Sequence, residues 1–463
     1  MAISLIRLGR DGQDWGGDFS LYISHARNLS EGRPYADTGY IVNPYARSLS
    51  PATYPPLFPL LLAPLYGKFG LDFSMLKLPG ILCFAATIPF LFCLFRRDLP
   101  AAQSMLAAGL WACWPFILWF KDSVLPDLVF TLLWVLALWM LRVAYDEPPA
   151  RRAWPRSILI GIVCYAAYAT RSAGIILPAA IVTYDLLRRR KVGGSALGIV
   201  ATFCVLAICQ NLMIHSDTSY LQMFVFAPFK TIKIYLYVVS SVFSTATAGW
   251  LRWVRYIATL PAFLLSCAGF TLNLRRFRSP TELAIAMYLV LLLLWSSGAG
   301  TRYIIPVIPF FFFYIVVALN ALRSSVSPRF ALWLGGIFMT SVLVCYVAED
   351  RNFRPRRVEG GISTAGFAEL CSYIGAGTKS TDVFIFQNPR VLSLYTRRQA
   401  SVYPENGDPE LVWSYIQKIH ARYVIDTDFL EGDDAVLHPF IRKYADHLRL
   451  VFSELHFRMY RIE

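Results

Sequence analysis

Charged side chains are scarce in this chain of 463 residues, of which 16% are Asp, Glu, Lys or Arg. An ordinary soluble domain carries about 25%. Hydrophobic residues make up 56% of the chain, and long apolar runs recur from about residue 56 to residue 348. This balance excludes a large soluble core and indicates a polytopic α-helical membrane protein.

Several signatures of soluble enzymes and secreted domains are also absent. The sequence contains no CxxC, HExxH, Walker or GxGxxG motif. Of its nine cysteines only Cys371 lies outside an apolar run, so no disulfide framework is indicated. The first residues, MAISLIRLGRDGQDW, do not have the pattern of a signal peptide.

The net charge of +14 raises the question of nucleic-acid binding. Arg and Lys occur in short clusters between apolar runs, which is how membrane orientation is encoded, so we exclude nucleic acid as a partner. The clusters occupy every second loop, which places those loops in the cytoplasm. They are Arg96/Arg97, Arg151/Arg152/Arg156, Arg188/Arg189/Arg190/Lys191, Arg275/Arg276/Arg278 and Arg323/Arg329.

The apolar runs predict about ten transmembrane helices. A further run at 56–70 is short and contains three prolines, so we interpret it as a re-entrant or juxtamembrane helix. The Thr170-Arg171-Ser172 segment is predicted to be the outer apex of a helical hairpin. The predicted spans are roughly 76–95, 102–120, 123–141, 157–170, 173–187, 196–214, 255–273, 281–296, 303–319 and 330–348.

Composition divides the chain into three segments. Residues 1–55 are polar and form the first extracytoplasmic loop region, and residues 56–348 form the transmembrane domain. Residues 349–463 alternate apolar bursts with helix-like stretches, which predicts a small extracytoplasmic α/β domain. This last domain could be a lid, an acceptor-recognition module or a plain folding unit.

Ionisable residues gather on the predicted outer face. Placing such residues at membrane depth costs free energy, and those found there are usually functional. Their concentration on one side indicates a surface cavity rather than a conduction pathway. These ionisable residues are Asp18, His25, Lys121, Asp122, Asp127, Arg171, Lys230, Lys233 and Arg302, and we group the neighbouring Tyr303 with them.

One chemistry fits these residue types. A carboxylate such as Asp18 can act as a general base toward an acceptor hydroxyl. Cations such as Arg171 and Arg302 can hold a phosphate and take up its developing charge. A sugar linked to phosphate needs little acid assistance to leave, and a lipid-linked donor would explain why the catalyst lies in a bilayer.

Each candidate also has a purely structural interpretation. Asp18 and Asp127 suit the N-cap or the first turn of a helix. Arg171 suits the apex of a hairpin, and Arg302 suits a cation that snorkels to the membrane interface. His25, on a predicted helix at residues 19–30, suits a packing or surface role.

Five stretches, taken in their order, carry a family resemblance. They are GDFSLYISHARNLSEGRPY, YPPLFPLLLAPLYGKFG, DSVLPDLVFTLLW, TRSAG and TRYIIPVIPF. Together they resemble membrane glycosyltransferases of the GT-C fold. The chain is most similar to the bacterial dolichyl-phosphate-mannose–protein mannosyltransferase-like group, which includes the lipopolysaccharide core galacturonosyltransferase-like domain. The likeness covers roughly residues 15–320.

The resemblance implies a multi-pass enzyme of the cell (inner) membrane that uses a polyprenyl-phosphate sugar. Transfer would be inverting and would take place on the extracytoplasmic face. Asp18 would be the catalytic base, Asp127 a second acid, and Arg302 a ligand of the donor phosphate. We assign Arg171 and Tyr303 to the same phosphate. The remaining candidates, which we assign to substrate binding, are His25, Tyr54 and Lys121; the Tyr54-Pro55-Pro56 run could also simply end a loop.

The sequence departs from the family at its start, and it does not determine whether a metal ion is used. Family members begin with a transmembrane helix before the first outer loop, and we expect that helix to be missing here. Metal use varies within the fold, so a divalent ion remains open, although no metal ligand is assigned. Asp14 is the only acidic residue close to Asp18 in the sequence.

The acceptor could be a lipid-linked glycan, a lipopolysaccharide or a protein. Two alternatives to a transferase remain. One is a transporter or flippase of lipid-linked sugars, although the two halves of the chain show no convincing repeat. The other is a truncated GT-C homologue that binds a lipid-linked sugar without turning it over.

Overall fold

The computed structural model describes residues 13–46, 51–146, 154–214, 227–243, 250–295, 300–325, 327–352, 362, 364–430 and 432–463. Contacts divide the chain into two units, which are described separately. The membrane unit holds the described residues within 77–213 and 225–355, and the sheet unit those within 10–76, 214–224 and 356–463. The basic pair Arg151/Arg152 lies outside the described residues, as do parts of the segments at 215–254 and 297–302 between the predicted spans.

Helices long and apolar enough to cross a membrane number six among the described residues. They are Phe73–Phe95, Asp127–Asp146, Gly194–Met213, Arg255–Arg276, Ile308–Ser325 and Pro328–Glu349. The other helices of the membrane unit are Ala101–Ala112, Pro115–Phe120, Trp154–Thr170, Ile176–Arg189, Pro228–Ser240 and Thr281–Leu294. The predicted polytopic helical fold is therefore confirmed, with several of its predicted spans shorter than a full crossing.

Local chemistry explains where the predicted spans are interrupted. The span predicted at 102–120 is two helices, because Pro115 has no backbone N–H to continue the first. The break between the spans predicted at 157–170 and 173–187 falls at Arg171, whose φ of −147° and ψ of 133° are extended. The span predicted at 303–319 opens with a 3₁₀ turn at Thr301–Ile304, before the helix Ile308–Ser325.

The core of the membrane unit is aromatic and tightly packed. Trp111, Trp114 and Trp134 are all fully buried. Gly269 lies directly against the backbone carbonyl of Tyr314, where a Cβ atom would clash. This glycine therefore allows the helix Trp250–Arg276 to approach the helix Ile308–Ser325 closely.

The sheet unit contains a six-stranded sheet in the order β1-β3-β2-β4-β6-β5. Three neighbouring pairs, β1/β3, β3/β2 and β2/β4, are parallel, and the pairs β4/β6 and β6/β5 are antiparallel. The strands are β1 Tyr40–Ile41, β2 Val383–Ile385, β3 Gln399–Ser401, β4 Ala421–Thr427, β5 Leu448–Glu454 and β6 Phe457–Ile462. The helices of this unit are Asp18–Ser30, Leu57–Phe69, Ala365–Gly377, Pro389–Thr396, Pro409–Lys418 and His438–Lys443.

The first polar segment of the chain is part of this sheet. Strand β1 pairs with β3, Tyr40 opposite Ala400 and Ile41 opposite Ser401. The division into 1–55, 56–348 and 349–463 stays a prediction, but by contacts the polar start and the C-terminal segment fold together. Composition does not reveal this pairing, because the two strands are more than 350 residues apart in the sequence.

Two helices from the start of the chain complete the sheet unit. In the helix Asp18–Ser30, Tyr22 packs edge-on against Phe58 of the helix Leu57–Phe69, with ring centroids 5.3 Å apart. Arg27 donates to the backbone carbonyl of Leu394 at 3.1 Å, which ties the first helix to Pro389–Thr396. The helix Leu57–Phe69 has 13 residues, too few to span a bilayer; its juxtamembrane placement stays a prediction.

Candidate active site

The predicted site residues fall into two groups, one in each unit. The sheet unit contains Asp18, His25 and Tyr54, and the membrane unit contains Lys121, Asp127, Arg171, Arg302 and Tyr303. Within each unit, side chains that are distant in sequence are in contact.

Asp18 lies at the centre of the first group. The Tyr54 hydroxyl donates to Oδ1 of Asp18 at 2.8 Å. Nη1 of Arg390 donates to the same oxygen at 3.1 Å and to the Tyr54 hydroxyl at 2.9 Å. The Asp18 side chain is 22% exposed, so it remains accessible from solvent.

The local sequence accounts for the position of Asp18. The helix Asp18–Ser30 has Gly17 as its N-cap, so Asp18 is its first residue rather than the cap. The hydroxyl of Ser20 donates to the Gly17 carbonyl at 2.7 Å and fixes the first turn. A carboxylate at this end also interacts favourably with the helix dipole.

Tyr54 is held against the same helix from several directions. Its ring stacks on Tyr22 with centroids 4.4 Å apart and an interplanar angle of 23°. Its backbone carbonyl accepts from the Tyr35 hydroxyl at 2.8 Å, and its backbone N–H donates to Nε2 of His25 at 3.3 Å. These contacts direct the Tyr54 hydroxyl toward Asp18 and give the YPP run a positioning role.

His25 is a structural residue in this arrangement. Its ring is fully buried and stacks on Tyr35 with centroids 4.1 Å apart. With Nε2 accepting from Tyr54, Nδ1 carries the proton and donates to the Tyr35 carbonyl at 2.8 Å. Burial lowers the pKa of His25 to about 4, so the ring is neutral at pH 7. The structure therefore favours the packing interpretation over direct substrate contact.

Arg390 is the residue that sequence reasoning missed. Its side chain is only 6% exposed. Burial alone would lower its pKa, but the Tyr54 phenol and the Asp18 carboxylate outweigh burial and raise the pKa of Arg390. The available signal was positional: Pro389 starts a helix shortly after the apolar burst DVFIF, so Arg390 lies just beyond the carboxyl end of a strand.

Asp127 and Arg171 form the centre of the second group. Asp127 is the first residue of the helix Asp127–Asp146 and is 1% exposed. Nη1 of Arg171 donates to its Oδ1. Oδ2 of Asp127 is buried and has no hydrogen-bond partner among the described residues.

Tyr303 joins this pair to Arg302. The guanidinium carbons of Arg171 and Arg302 lie 4.7 and 4.9 Å from the centroid of the Tyr303 ring. Nη2 of Arg302 also donates to the Tyr303 hydroxyl at 2.9 Å. The Tyr288 hydroxyl donates to the Tyr303 carbonyl at 2.8 Å, which fixes this turn. Two guanidinium groups are thus placed around one aromatic ring.

The TRSAG and TRY segments each form a turn, and the turn geometry accounts for the residues found there. After the extended Arg171, the N–H of Gly174 donates to the Arg171 carbonyl at 2.9 Å. Gly174 lies against the backbone of Tyr168, where a Cβ atom would clash, so only glycine fits. The 3₁₀ turn Thr301–Ile304 presents Arg302 and Tyr303.

Lys121 is buried just after the helix Pro115–Phe120. The neighbouring Asp122 pairs with Lys77, with Nζ 3.2 Å from Oδ1, and Lys77 is itself buried. The role of Lys121 in substrate binding stays a prediction.

Comparisons with known proteins show which fold this chain has. A family model described as dolichyl-phosphate-mannose-protein mannosyltransferase matches residues 53–214. The crystal structure of ArnT from Cupriavidus metallidurans bound to undecaprenyl phosphate superimposes with a TM-score of 0.61. That match covers 99% of this chain and 96% of ArnT, at 14% sequence identity.

The chain has the GT-C glycosyltransferase fold. The resemblance inferred from the sequence is thereby confirmed at the level of fold.

Two further GT-C proteins support the same conclusion. The oligosaccharyltransferase AglB from Archaeoglobus fulgidus, in complex with an inhibitory peptide and a dolichol-phosphate, gives a TM-score of 0.55 at 12% identity. That match covers 90% of this chain and 66% of AglB. The arabinofuranosyltransferase AftD from Mycobacteria gives 0.55 at 11% identity, covering 100% of this chain and 39% of AftD. No curated protein matches the sequence itself.

Proposed function

We propose that this GT-C chain is a glycosyltransferase that transfers a sugar from a polyprenyl-phosphate donor to an acceptor hydroxyl, with inversion. We place it in the cell (inner) membrane with its active site on the extracytoplasmic face. The acceptor is a lipid-linked glycan, a lipopolysaccharide or a protein. Asp18 serves as general base, Asp127 as second acid, and Arg171 and Arg302 as ligands of the donor phosphate.

The observation that carries the proposal is the cluster around Tyr303. Two guanidinium groups lie within 5 Å of its ring centroid, and one of them is anchored by the buried Asp127 carboxylate. Guanidinium groups bind phosphate oxygens through paired, charge-assisted hydrogen bonds. An anchored arginine loses little conformational freedom when a phosphate binds, so the cluster is suited to hold a phosphodiester.

Asp18 provides the complementary chemistry in the sheet unit. Its carboxylate is partly exposed, while Tyr54 and Arg390 fix one of its oxygens. An arginine neighbour keeps a carboxylate ionised, and an ionised, oriented carboxylate can accept a proton from a hydroxyl.

The proposed reaction balances without a redox partner. The acceptor oxygen forms a bond to the anomeric carbon as the bond from that carbon to the phosphate oxygen breaks. The bonding electrons leave with the polyprenyl phosphate, whose charge Arg171 and Arg302 stabilise. The acceptor proton passes to Asp18.

Asp127 has a second oxygen available for this chemistry. Oδ2 is buried without a hydrogen-bond partner among the described residues, and such an acceptor is costly to leave unsatisfied. A donor from the substrate, such as a sugar hydroxyl, would satisfy it. The described residues contain no group of three His, Cys, Asp or Glu side chains placed to hold a metal ion, so we route no step through a metal.

The distribution of charge favours transfer over the transporter alternative. In all six apolar helices the Asp, Glu, Lys and Arg residues lie within the first or last five positions. Residues 128–141, between Asp127 and Arg142, contain none. A transport pathway is expected to place ionisable groups along the depth of the membrane.

The test is transfer from radiolabelled polyprenyl-phosphate sugars by membranes that contain this chain. Asp18→Asn keeps the shape of the side chain and removes the base, so we expect turnover to fall by about 100-fold or more. Asp14→Asn, at the exposed acid four residues earlier, is the matched control and should retain activity. Full turnover in Asp18→Asn would reject Asp18 as the base, and no turnover of any donor by the inserted protein would reject the proposed function.

A further inference from the structure

Two polar side chains from other parts of the chain, Tyr54 and Arg390, converge on Oδ1 of Asp18 in the sheet unit. Arg390 contacts both Asp18 Oδ1 at 3.1 Å and the Tyr54 hydroxyl at 2.9 Å, and the same hydroxyl lies 2.8 Å from Oδ1. Each member of this triangle thus contacts the other two. Such closure restricts all three side chains more than a single ion pair does.

The position of Arg390 is fixed by contacts other than its own contact with Asp18. It is the second residue of the helix Pro389–Thr396, which begins four residues after the end of β2 at Ile385. The side chain of Asn388 donates to the backbone carbonyl of Trp15, close to Asp18 in the sequence. The turn that follows β2 therefore holds both the backbone before Asp18 and the Asp18 carboxylate.

The sheet topology singles out this turn. Strand β2 lies between β3 and β4 and is parallel to both. The chain leaves β2 toward β3 on one side and later returns to β4 on the other, so its direction reverses around β2. In open α/β sheets, the carboxyl edge at such a reversal is where functional groups collect.

We propose that Arg390 is a positioning residue for Asp18, which makes the C-terminal sheet a working part of the catalytic apparatus. The inference rests on the proposed function, because it assigns Arg390 to orient the base of that reaction. It adds a role for residues 349–463 to the lid, acceptor-recognition and plain folding roles that the sequence left open.

The contact has two separable effects. The positive charge of Arg390 favours the ionised form of the base and so extends activity to lower pH. The planar guanidinium, which also contacts Tyr54, fixes the direction of the carboxylate. A merely structural ion pair would change protein stability without changing the pH dependence of turnover.

The experiment compares pH profiles of kcat/KM for the full-length protein in membranes, using the polyprenyl-phosphate sugar that the wild type turns over. In Arg390→Gln we expect the acid-side midpoint to move up by about one pH unit. We expect kcat to fall by about 10- to 100-fold at the optimum, because the base is displaced. Arg390→Lys should restore the midpoint while leaving kcat low, since lysine keeps the charge and lacks the planar group.

The matched control is Arg397→Gln. Arg397 follows the same helix, is 59% exposed and pairs with Glu31 at 2.9 Å. Its loss should leave both kcat and the pH profile unchanged. An acid-side midpoint in Arg390→Gln that equals that of the wild type would overturn the inference while the proposed function stands. A wild type without transfer activity would instead reject the proposed function.

A second variant covers the case in which Arg390→Gln does not fold. A Cβ at Gly17 would lie 2.5 Å from Nη2 of Arg390, so Gly17→Ala should displace the guanidinium without removing its charge. Gly16→Ala is the control, because nothing lies within 4 Å of a Cβ there. We expect kcat to fall by about tenfold in Gly17→Ala and to stay unchanged in Gly16→Ala. Equal activities of the two alanine variants would contradict the positioning role.

Discussion

Arg171 donates through Nη1 to Oδ1 of Asp127, a carboxylate that is 1% exposed at the start of an apolar helix. Asp127 and Arg171 are 44 residues apart in the sequence. The pair therefore joins Arg171, the extended residue between two helices, to the first turn of the helix Asp127–Asp146. A buried pair of this kind is costly to break, because the remaining partner keeps an uncompensated charge.

We therefore expect Asp127→Asn and Arg171→Gln each to lower the free energy of unfolding by about 3 kcal/mol. The double variant should cost less than the sum, because it leaves no charge unpaired. Thermal unfolding in detergent measures both effects. Lys443→Gln, which breaks the exposed pair with Glu410, is the control and should leave the unfolding temperature unchanged. Additive costs in the double variant would argue against a coupled pair.

The Tyr54→Phe variant should show the effect of orienting the base on kcat without a change in protein stability. The change removes the hydroxyl that donates to Asp18 and keeps the ring that stacks on Tyr22. We expect kcat to fall by about tenfold, with KM for the donor and the unfolding temperature close to wild type. Tyr45→Phe makes the same change at a residue that is 45% exposed and should have no effect. A Tyr54→Phe enzyme with full kcat would show that the hydroxyl does not orient the base.

Arg302 and Tyr303 should govern affinity for the donor. Arg302→Lys keeps a positive charge but loses the planar group that lies 4.9 Å from the Tyr303 centroid. We expect KM for the donor to rise by about tenfold with a smaller change in kcat, because lysine binds phosphate as a point charge. Arg329→Lys is the matched exposed control. If kcat fell while KM stayed constant, Arg302 would act in the transition state rather than in donor binding.

His25 should make the stability of the protein depend on pH. Burial places its folded-state pKa near 4, below the usual 6.5, so the unfolded chain takes up the proton first as the pH falls. Stability is therefore complete above about pH 6.5 and declines toward pH 4, by about 3 kcal/mol at full extent. Thermal unfolding over this range should show a smaller decline in His25→Gln than in the wild type. The exposed His420→Gln is the control, and equal slopes in all three proteins would contradict the assignment.

The sequence by itself determined the class of the molecule and singled out the candidate site residues other than Arg390. Apolar length and the spacing of basic clusters indicated a polytopic helical protein, because a bilayer imposes simple rules on length and charge. Asp127, Arg171, Arg302 and Tyr303 could be singled out for the same reason: polar residues beside apolar runs are rare and conspicuous. The structure brings these four together.

Only the tertiary structure decided what surrounds Asp18. Arg390 is 372 residues away from it in the sequence, and an arginine in a polar segment is too common to attract attention. Strand β1 has two residues, too few for any periodicity, yet its pairing with β3 joins the two ends of the chain in one sheet. His25 was distinguishable from a ligand-binding histidine only by its burial and its two hydrogen bonds. Long-range pairing and burial depend on the folded backbone, and local sequence patterns do not encode them.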